Sequence, residues 1–261
     1  MSLHYNTNLY EIENLIKNGI NVNKKDKNGE TPLHCTTHLC IAECLIKYGA
    51  RVNEKNNEGN TPLHIKSLFY NEDICELLLK NGANVNSQNN RGDTPLHCSA
   101  IYHDKATLRY LLLYNADMNI KNNLGNTPIF HGIRNLNTVK YFVENGANIF
   151  VINNDGNTLL HIASQYYIDI EIVKYLTKSL NINQKNKYGH TPMFYALWYN
   201  NERLVKYFVE NGANINYQDN KGKTLLHYVF QTNDLYNIKL LLKNGSNINV
   251  IDNFGKKPYN Y

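Results

Sequence analysis

Residues Thr61–Asp93 read TPLHIKSLFYNEDICELLLKNGANVNSQNNRGD, and the four letters that open this stretch return at Thr94. The residue numbers give an interval of 94 − 61 = 33 between the two copies. Further starts lie at Thr31, before the stretch, and after it at Thr127, Thr158, Thr191 and Thr224, with a final fragment at Lys257. Because all of these starts recur at a nearly constant spacing, the sequence predicts a repeat array rather than one compact core.

The stretch contains the signals for two helices and a turn. Thr61 is a suitable N-cap and is followed by proline at the first helical position, which predicts a short helix that ends near Phe69. A second helix is predicted from about Asp73 to Lys80, and Gly82 supplies its left-handed stop. Asn89–Gly92 is typical of a turn. A unit of this size cannot bury its own apolar face, so it must stack on its neighbours.

The TPLH motif and the period near 33 resemble the ankyrin repeat over almost the whole chain. The resemblance implies an all-α repeat solenoid of helix-turn-helix pairs joined by β-hairpin-like fingers. We expect one array over residues 1–261, with an N-terminal partial unit and finger over 1–30. Repeats are expected to start near 31, 61, 94, 127, 158, 191 and 224, and a C-terminal partial unit to occupy 250–261.

Three parts of the array depart from the regular unit. The first unit has one helical stripe before Gly19, so its first helix is expected to be short or lost. The repeats that start at Thr31 and Thr127 are shorter than the Thr61 repeat, whereas the interval from helix stop to next repeat is constant. The missing residues are therefore predicted to lie in the helix pair, in the turn between the two helices.

Histidine recurs at the fourth position of the motif, at His34, His64, His97, His161 and His227. The ankyrin resemblance implies that this side chain hydrogen-bonds the nearby threonine and the finger backbone. Phe130 and Phe194 replace it in two repeats, so no continuous row of histidines runs along the chain. We therefore interpret these histidines as structural rather than catalytic or metal-binding.

Histidine and cysteine crowd together between residues 34 and 44, as His34, Cys35, His38, Cys40 and Cys44. Zinc sites use such side chains, but this group lacks a C-x-x-C pair and His34 already has a structural role. We favour the structural interpretation, in which the thiols fill apolar positions. An odd count of five cysteines indicates reduced thiols and a cytosolic compartment.

The sequence contains no catalytic motif, so we expect no enzyme, cofactor or metal. The net charge of +5 is spread among interleaved charges, which does not favour nucleic acid as a partner. No apolar run approaches the length that a membrane-spanning helix needs, so no membrane partner is expected. We expect a monomer in the cytoplasm, or in the host cytoplasm if the source is a virus or an intracellular bacterium.

The ankyrin resemblance implies that a protein partner contacts the finger tips and the exposed ends of the first helices, on the concave face. These positions are rich in the aromatic side chains that dominate binding hot spots. The alternative is that some of the rings pack between adjacent helices. The predicted partner-binding residues, centred on the repeats at Thr158 and Thr191, are Phe69, Arg91, Tyr102, Leu124, Tyr166, Tyr188, His190, Trp198, Tyr199 and Lys221.

The sequence therefore predicts a non-enzymatic protein-recognition module. The alternative is an adaptor that recruits a cellular complex such as a ubiquitin ligase through a second surface. An apolar patch on the second, convex helices would favour the adaptor, whereas a continuous basic stripe would favour a nucleic-acid binder.

Overall fold

The computed structural model describes residues 2–69, 71–165 and 168–261. Over these residues the chain forms fifteen α-helices and two short 3₁₀ helices, and no strand is present. The predicted fold class, an all-α repeat solenoid, is confirmed. Within the same described residues, no helix combines the length and the apolar character that crossing a membrane requires.

Contacts divide the chain into two compact units, Met1–Gly132 with Lys140–Ala147, and Ile133–Val139 with Asn148–Tyr261. The helices before the division are α1 Leu9–Lys17, α2 Pro32–Cys35, α3 Leu39–Lys47, α4 Pro62–Leu68, α5 Glu72–Lys80, α6 Pro95–Tyr102, α7 Lys105–Leu113 and α8 Pro128–His131. The division falls within α9, Leu136–Glu144. The helices after it are α10 Leu159–Ala163, α11 Ile170–Leu176, α12 Pro192–Trp198, α13 Glu202–Glu210, α14 Leu225–Gln231 and α15 Leu235–Lys243.

The repeat that starts at Thr61 shows how a helix pair forms. Thr61 is the N-cap of α4, in an extended conformation, and the proline after it occupies the first turn, as predicted. Leu63 on α4 and Ile74 and Leu78 on α5 are buried, so the two helices bury their apolar stripes against each other and against neighbouring repeats. Leu77, also on α5, is only half-buried.

The fingers are series of turns rather than paired strands. In the finger Asn89–Asp93, the amide of Asn89 donates to the carbonyl of Asp93 over 3.0 Å, and the amide of Gly92 donates to the carbonyl of Asn89 over 2.9 Å. Gly92 has a φ of 76°, and a Cβ there would lie 2.8 Å from the amide nitrogen of Asn123 in the next finger. Glycine is therefore required both by the backbone conformation and by the close approach of the next finger.

Asparagine side chains connect successive fingers. Asn90 donates its side-chain amide to the carbonyl of Asn57 over 3.0 Å, and its backbone amide donates to Glu58 over the same distance. At the other end of the finger, Asn53 donates to the carbonyl of Gly82 over 3.0 Å and accepts from the amide of Asn84 over 2.7 Å. The polar backbone of each finger is thus paired by its neighbours rather than by a strand ladder.

The recurring histidine of the motif joins helix to finger. The amide of Thr61 donates to Nδ1 of His64 over 3.1 Å, so the ring proton is on Nε2. Nε2 then donates to the carbonyl of Asp93, in the following finger, over 3.0 Å. His34, His97, His161 and His227 make the equivalent pair of bonds, which confirms the predicted hydrogen bonds to the threonine and the finger backbone.

The first unit keeps this bond although it has no first helix among residues 2–8. Nδ1 of His4 lies 2.7 Å from the hydroxyl of Ser2, and Nε2 of His4 lies 3.0 Å from the carbonyl of Glu30. The loss of the helix was predicted, but the retained histidine bond was not.

The shortened repeat at Thr31 has lost part of its first helix. α2 contains four residues whereas α4 contains seven, and three residues separate the first helix from the second in both repeats. The prediction that the deletion lies in the turn is therefore wrong for this repeat. The three missing residues are close to one helical turn of about 3.6 residues, so the shortened helix ends on nearly the same face and the connection to the second helix is kept.

Lys66 compensates for the shortened helix. Its side chain, 1% exposed, donates from Nζ to the carbonyl of His34 over 2.6 Å. That carbonyl is in the last turn of α2, where helical carbonyls lack an intrahelical donor. Burial lowers the pKa of the Lys66 ammonium to about 8. The lysine thus occupies space between repeats and satisfies a carbonyl that the missing helical turn leaves without a donor.

Acid is predicted to destabilise the stack through these histidines. Burial lowers the pKa of His64, His97 and His161 to about 4, below the value of about 6.5 in an unfolded chain. Between these values the unfolded state binds more protons, so the free energy of unfolding falls as the pH drops. The expected slope is on the order of 1 kcal/mol per pH unit for each histidine.

Urea unfolding at pH 7, 6 and 5 measures this slope while most carboxylates stay ionised. His64→Gln should show a shallower slope than the parent protein, because one titrating group is lost. Identical slopes in the two proteins would contradict the assignment of the effect to these histidines.

Candidate functional site

The repeat that starts at Thr191 begins like the others but carries phenylalanine at the histidine position. Thr191 is the N-cap of α12, and Pro192 follows it. Phe194 cannot donate to the next finger, and its ring instead stacks on His190, with centroids 3.6 Å apart and planes at 14°. The polar bond to the following finger is thus lost here, and the ring packs instead against the finger that precedes α12.

Phe194 is the centre of a cluster of rings. Trp198 lies one helical turn further along α12 and stacks beside Phe194 at 5.8 Å and 22°. Tyr228, on α14, meets Phe194 edge-on at 4.9 Å and 80°, and it meets Trp198 at 6.4 Å and 78°. Trp198 nevertheless remains 60% exposed. The cluster therefore holds a large ring in a defined position while leaving much of that ring open to a partner.

The buried carboxylate of Asp219 is hydrogen-bonded to the cluster through Tyr228. Asp219 accepts hydrogen bonds from the backbone amides of Lys221 and Lys223, over 2.8 and 2.9 Å, and from the Tyr228 hydroxyl. Nε2 of His190 lies 3.6 Å from the carboxylate oxygen that Tyr228 contacts. Burial alone would raise the pKa of Asp219, but the hydrogen bonds from these donors outweigh it and lower the pKa to about 2. Asp219 is therefore an anion whose oxygens are already engaged.

These side chains surround an open cleft of about 430 Å³. We call it the aromatic cleft, and its lining consists of Tyr188, His190, Phe194, Tyr195, Trp198, Tyr199, Asp219, Asn220, Lys221 and Tyr228. Most of this lining is aromatic, and all of it belongs to the second compact unit.

The structure brings together five of the predicted partner-binding residues in the aromatic cleft, namely Tyr188, His190, Trp198, Tyr199 and Lys221. Four others lie in the first compact unit and do not line the cleft: Phe69, Arg91, Tyr102 and Leu124. All four are exposed. Tyr166 lies outside the described residues.

Sequence reasoning missed the side chains that build the floor of the aromatic cleft: Phe194, Tyr195, Asp219 and Tyr228. Two sequence features could have indicated them. Phe194 replaces the histidine of the motif, and the next motif position is tyrosine in two successive repeats, as Tyr195 and Tyr228. The cleft also includes Tyr228 of the last full repeat, so it extends beyond the predicted centre at the Thr158 and Thr191 repeats.

The histidine and cysteine group between residues 34 and 44 does not assemble around one point. Nε2 of His34 is bonded to the carbonyl of Asn60, and Cys44 is buried on α3. Among the described residues, the side chains close enough to share an ion are instead Asp26, Glu30 and Cys35, within 4.8 Å of one another. Burial and the neighbouring Glu30 carboxylate raise the pKa of the Cys35 thiol to about 12, which disfavours the thiolate that a metal requires.

The comparison with protein families agrees with the repeat period. A family model described as ankyrin repeats, in three copies, matches residues 2–89, 66–152, 96–186, 130–219 and 169–252. Since these matches cover nearly the whole chain, the protein belongs to the ankyrin repeat family. Members of this family generally act as protein–protein interaction modules and are typically non-enzymatic. No curated protein matches the sequence.

The Tyr228 hydroxyl can be tested without removing the ring. Tyr228→Phe keeps the edge-on contact with Phe194 but removes one donor from the Asp219 carboxylate. The pKa of Asp219 should then rise from about 2 towards its ordinary value, because its charged form loses a hydrogen bond. Carboxyl ¹³C NMR titration measures this shift. Tyr236→Phe, on the partly exposed face of α15, should leave it unchanged, and an unchanged pKa in Tyr228→Phe would contradict the network.

Proposed function

We propose that this protein is a recognition module and that a protein partner docks in the aromatic cleft. The observation that carries the proposal is the position of Trp198. Its ring is 60% exposed, yet it is held by Phe194 on its own helix and by Tyr228 on the next first helix. A large side chain that is exposed and already ordered loses little conformational entropy on binding.

The rest of the cleft fits the same role. Tyr188 is 52% exposed on the adjacent finger, and its hydroxyl donates to Asp155 over 3.2 Å, which fixes a second ring at the edge. Tryptophan and tyrosine are enriched among the residues that supply most of the binding energy at interfaces. The cleft thus offers two positioned aromatic anchors to a partner.

The chemistry of Asp219 favours binding over catalysis. A general acid or base works best with a pKa near the operating pH. The pKa of Asp219 is about 2, and its oxygens accept bonds from its own finger and from Tyr228, with His190 close by. Such a carboxylate is suited to holding the walls of a binding site in place.

Trp198→Ala tests the proposal once a partner has been recovered by affinity purification and identified by mass spectrometry. The variant should bind that partner about 30-fold more weakly or worse, the factor for a hot-spot loss of about 2 kcal/mol. Its free energy of unfolding should fall by only about 1 kcal/mol, the worth of the lost ring stacking. Calorimetric titration and urea unfolding measure the two quantities.

Phe150→Ala is the matched control, because Phe150 is 69% exposed in the same compact unit but does not line the cleft. Its binding should equal that of the parent protein. Unchanged binding in Trp198→Ala would contradict the proposal. So would a fall in unfolding free energy of several kcal/mol, since the ring would then be part of the core rather than an anchor.

A second candidate is an adaptor that recruits a complex such as a ubiquitin ligase through another surface. The observation in its favour is the exposed apolar face of α15, where Leu235, Tyr236 and Leu242 are accessible. Leu235→Glu should then abolish co-purification of ubiquitin-ligase subunits and leave Trp198-dependent binding intact. Equal recovery of these subunits, or their absence from both samples, would remove the adaptor role.

A further inference from the structure

The charges around the aromatic cleft point to the chemistry of its partner. We infer that the cleft takes a linear peptide segment in which an apolar side chain is flanked by acidic residues. This inference rests on the proposed function, since it specifies what the docked segment must contain.

Two exposed lysines and one half-buried lysine border the cleft. Lys221 lines the cleft and is exposed, and Lys187 is exposed on the preceding finger. Lys223 is half-buried, and its Nζ lies 3.9 Å from the ring centroid of Tyr261 and 5.5 Å from that of Tyr228, which lines the cleft. Three positive side chains thus lie on the two fingers that border the aromatic rings.

The carboxylates on the neighbouring turns are mostly hidden. The side chain of Asp219 is 5% exposed, and Asp252 in the next finger is 4% exposed. Asp252 accepts from the amides of Phe254 and Lys256 over 2.9 and 3.0 Å, much as Asp219 does in its own finger. Asp155 is exposed, but it accepts the hydroxyl of Tyr188 over 3.2 Å. The charge that an approaching segment meets is therefore predominantly positive.

A cationic ligand would fit this site poorly, although cations do bind to aromatic faces. The one carboxylate in the cleft, Asp219, already accepts from its finger amides and from Tyr228. Lys221 and Lys223 would repel a second ammonium group. A carboxylate of the partner would instead gain charge-assisted hydrogen bonds from these lysines, while the rings receive an apolar side chain.

The finger backbone beside the cleft is already paired with the neighbouring fingers at several positions. The amide of Asn220 donates to the carbonyl of Tyr188 over 3.1 Å, and the amide of Asn253 donates to the carbonyl of Lys221 over 3.0 Å. The side chain of Asn220 pairs with the carbonyl of Lys187 over 2.7 Å. Recognition must then come from the partner's side chains, so the sequence of the bound segment should be restricted in composition.

A phage-displayed library of short random peptides provides a defined probe. It is selected in parallel on the full-length protein and on Trp198→Ala, and both proteins are first checked for folding by urea unfolding. Peptides recovered only on the parent protein should carry an aromatic or large aliphatic residue with Asp or Glu within two positions. Their net charge should be negative.

The outcomes separate the inference from the proposed function. Trp198-dependent peptides that are neutral or basic would overturn the inference and leave the cleft as a docking site. If no peptide depends on Trp198, the inference is overturned, and the docking site is then decided by the binding of the purified partner to Trp198→Ala.

Charge-reversal variants provide a second test of the inference, and they leave the aromatic rings unchanged. Lys221→Glu and Lys223→Glu should each weaken binding of a selected peptide by at least about two- to fivefold, the factor of an exposed ion pair. Lys178→Glu is the control, because Lys178 is exposed in the same compact unit outside the cleft. It should change the dissociation constant less than twofold. Equal effects of Lys178→Glu and Lys221→Glu would show only a general response to net charge and would overturn the inference.

Discussion

The hydrogen bond from a first-helix histidine to the next finger is the interaction on which the regular repeats depend. In the Thr61 repeat, Nε2 of His64 donates to the carbonyl of Asp93, 29 residues further on. The same ring accepts the amide of Thr61 at the start of α4. One buried ring thus fixes the helix start and the finger together, in a position where an unpaired carbonyl would be costly. The finger is thereby held in place to pair with the fingers on either side of it.

The two repeats that lack this histidine differ in what replaces the bond. In the Thr127 repeat, with Phe130, the buried side-chain oxygens of Asn126 and Thr127 have no hydrogen-bond partner among the described residues. In the Thr191 repeat, Phe194 stacks on His190 and joins Trp198 and the next repeat's tyrosine in one cluster. The second replacement brings aromatic side chains from two first helices and one finger to one cleft, and the next finger adds polar side chains. The proposed binding site is therefore located where the regular pattern is broken.

The sequence predicted those features that depend on local chemistry. The helix start at Thr61 and the turn at Gly92 were both expected. Each depends on the conformation of a few residues that are adjacent in the sequence. Repeat register also placed Trp198 at an exposed helix end. The floor of the cleft was not predicted, because the contact of Phe194 with Tyr228 joins residues of different repeats. Asp219 gave no signal either, since Asp or Asn stands at that turn position in every finger.

The central claim is that the aromatic cleft is a binding site with Trp198 as its anchor. The protein has one tryptophan, so its fluorescence reports on the cleft alone. The free protein should show the emission of a water-exposed indole and ready quenching by acrylamide, since the ring is 60% exposed. Addition of the bound partner, or of a selected peptide free of tryptophan, should shift the emission to shorter wavelength and protect it from quenching. Saturating binding with unchanged emission and unchanged quenching would contradict the account.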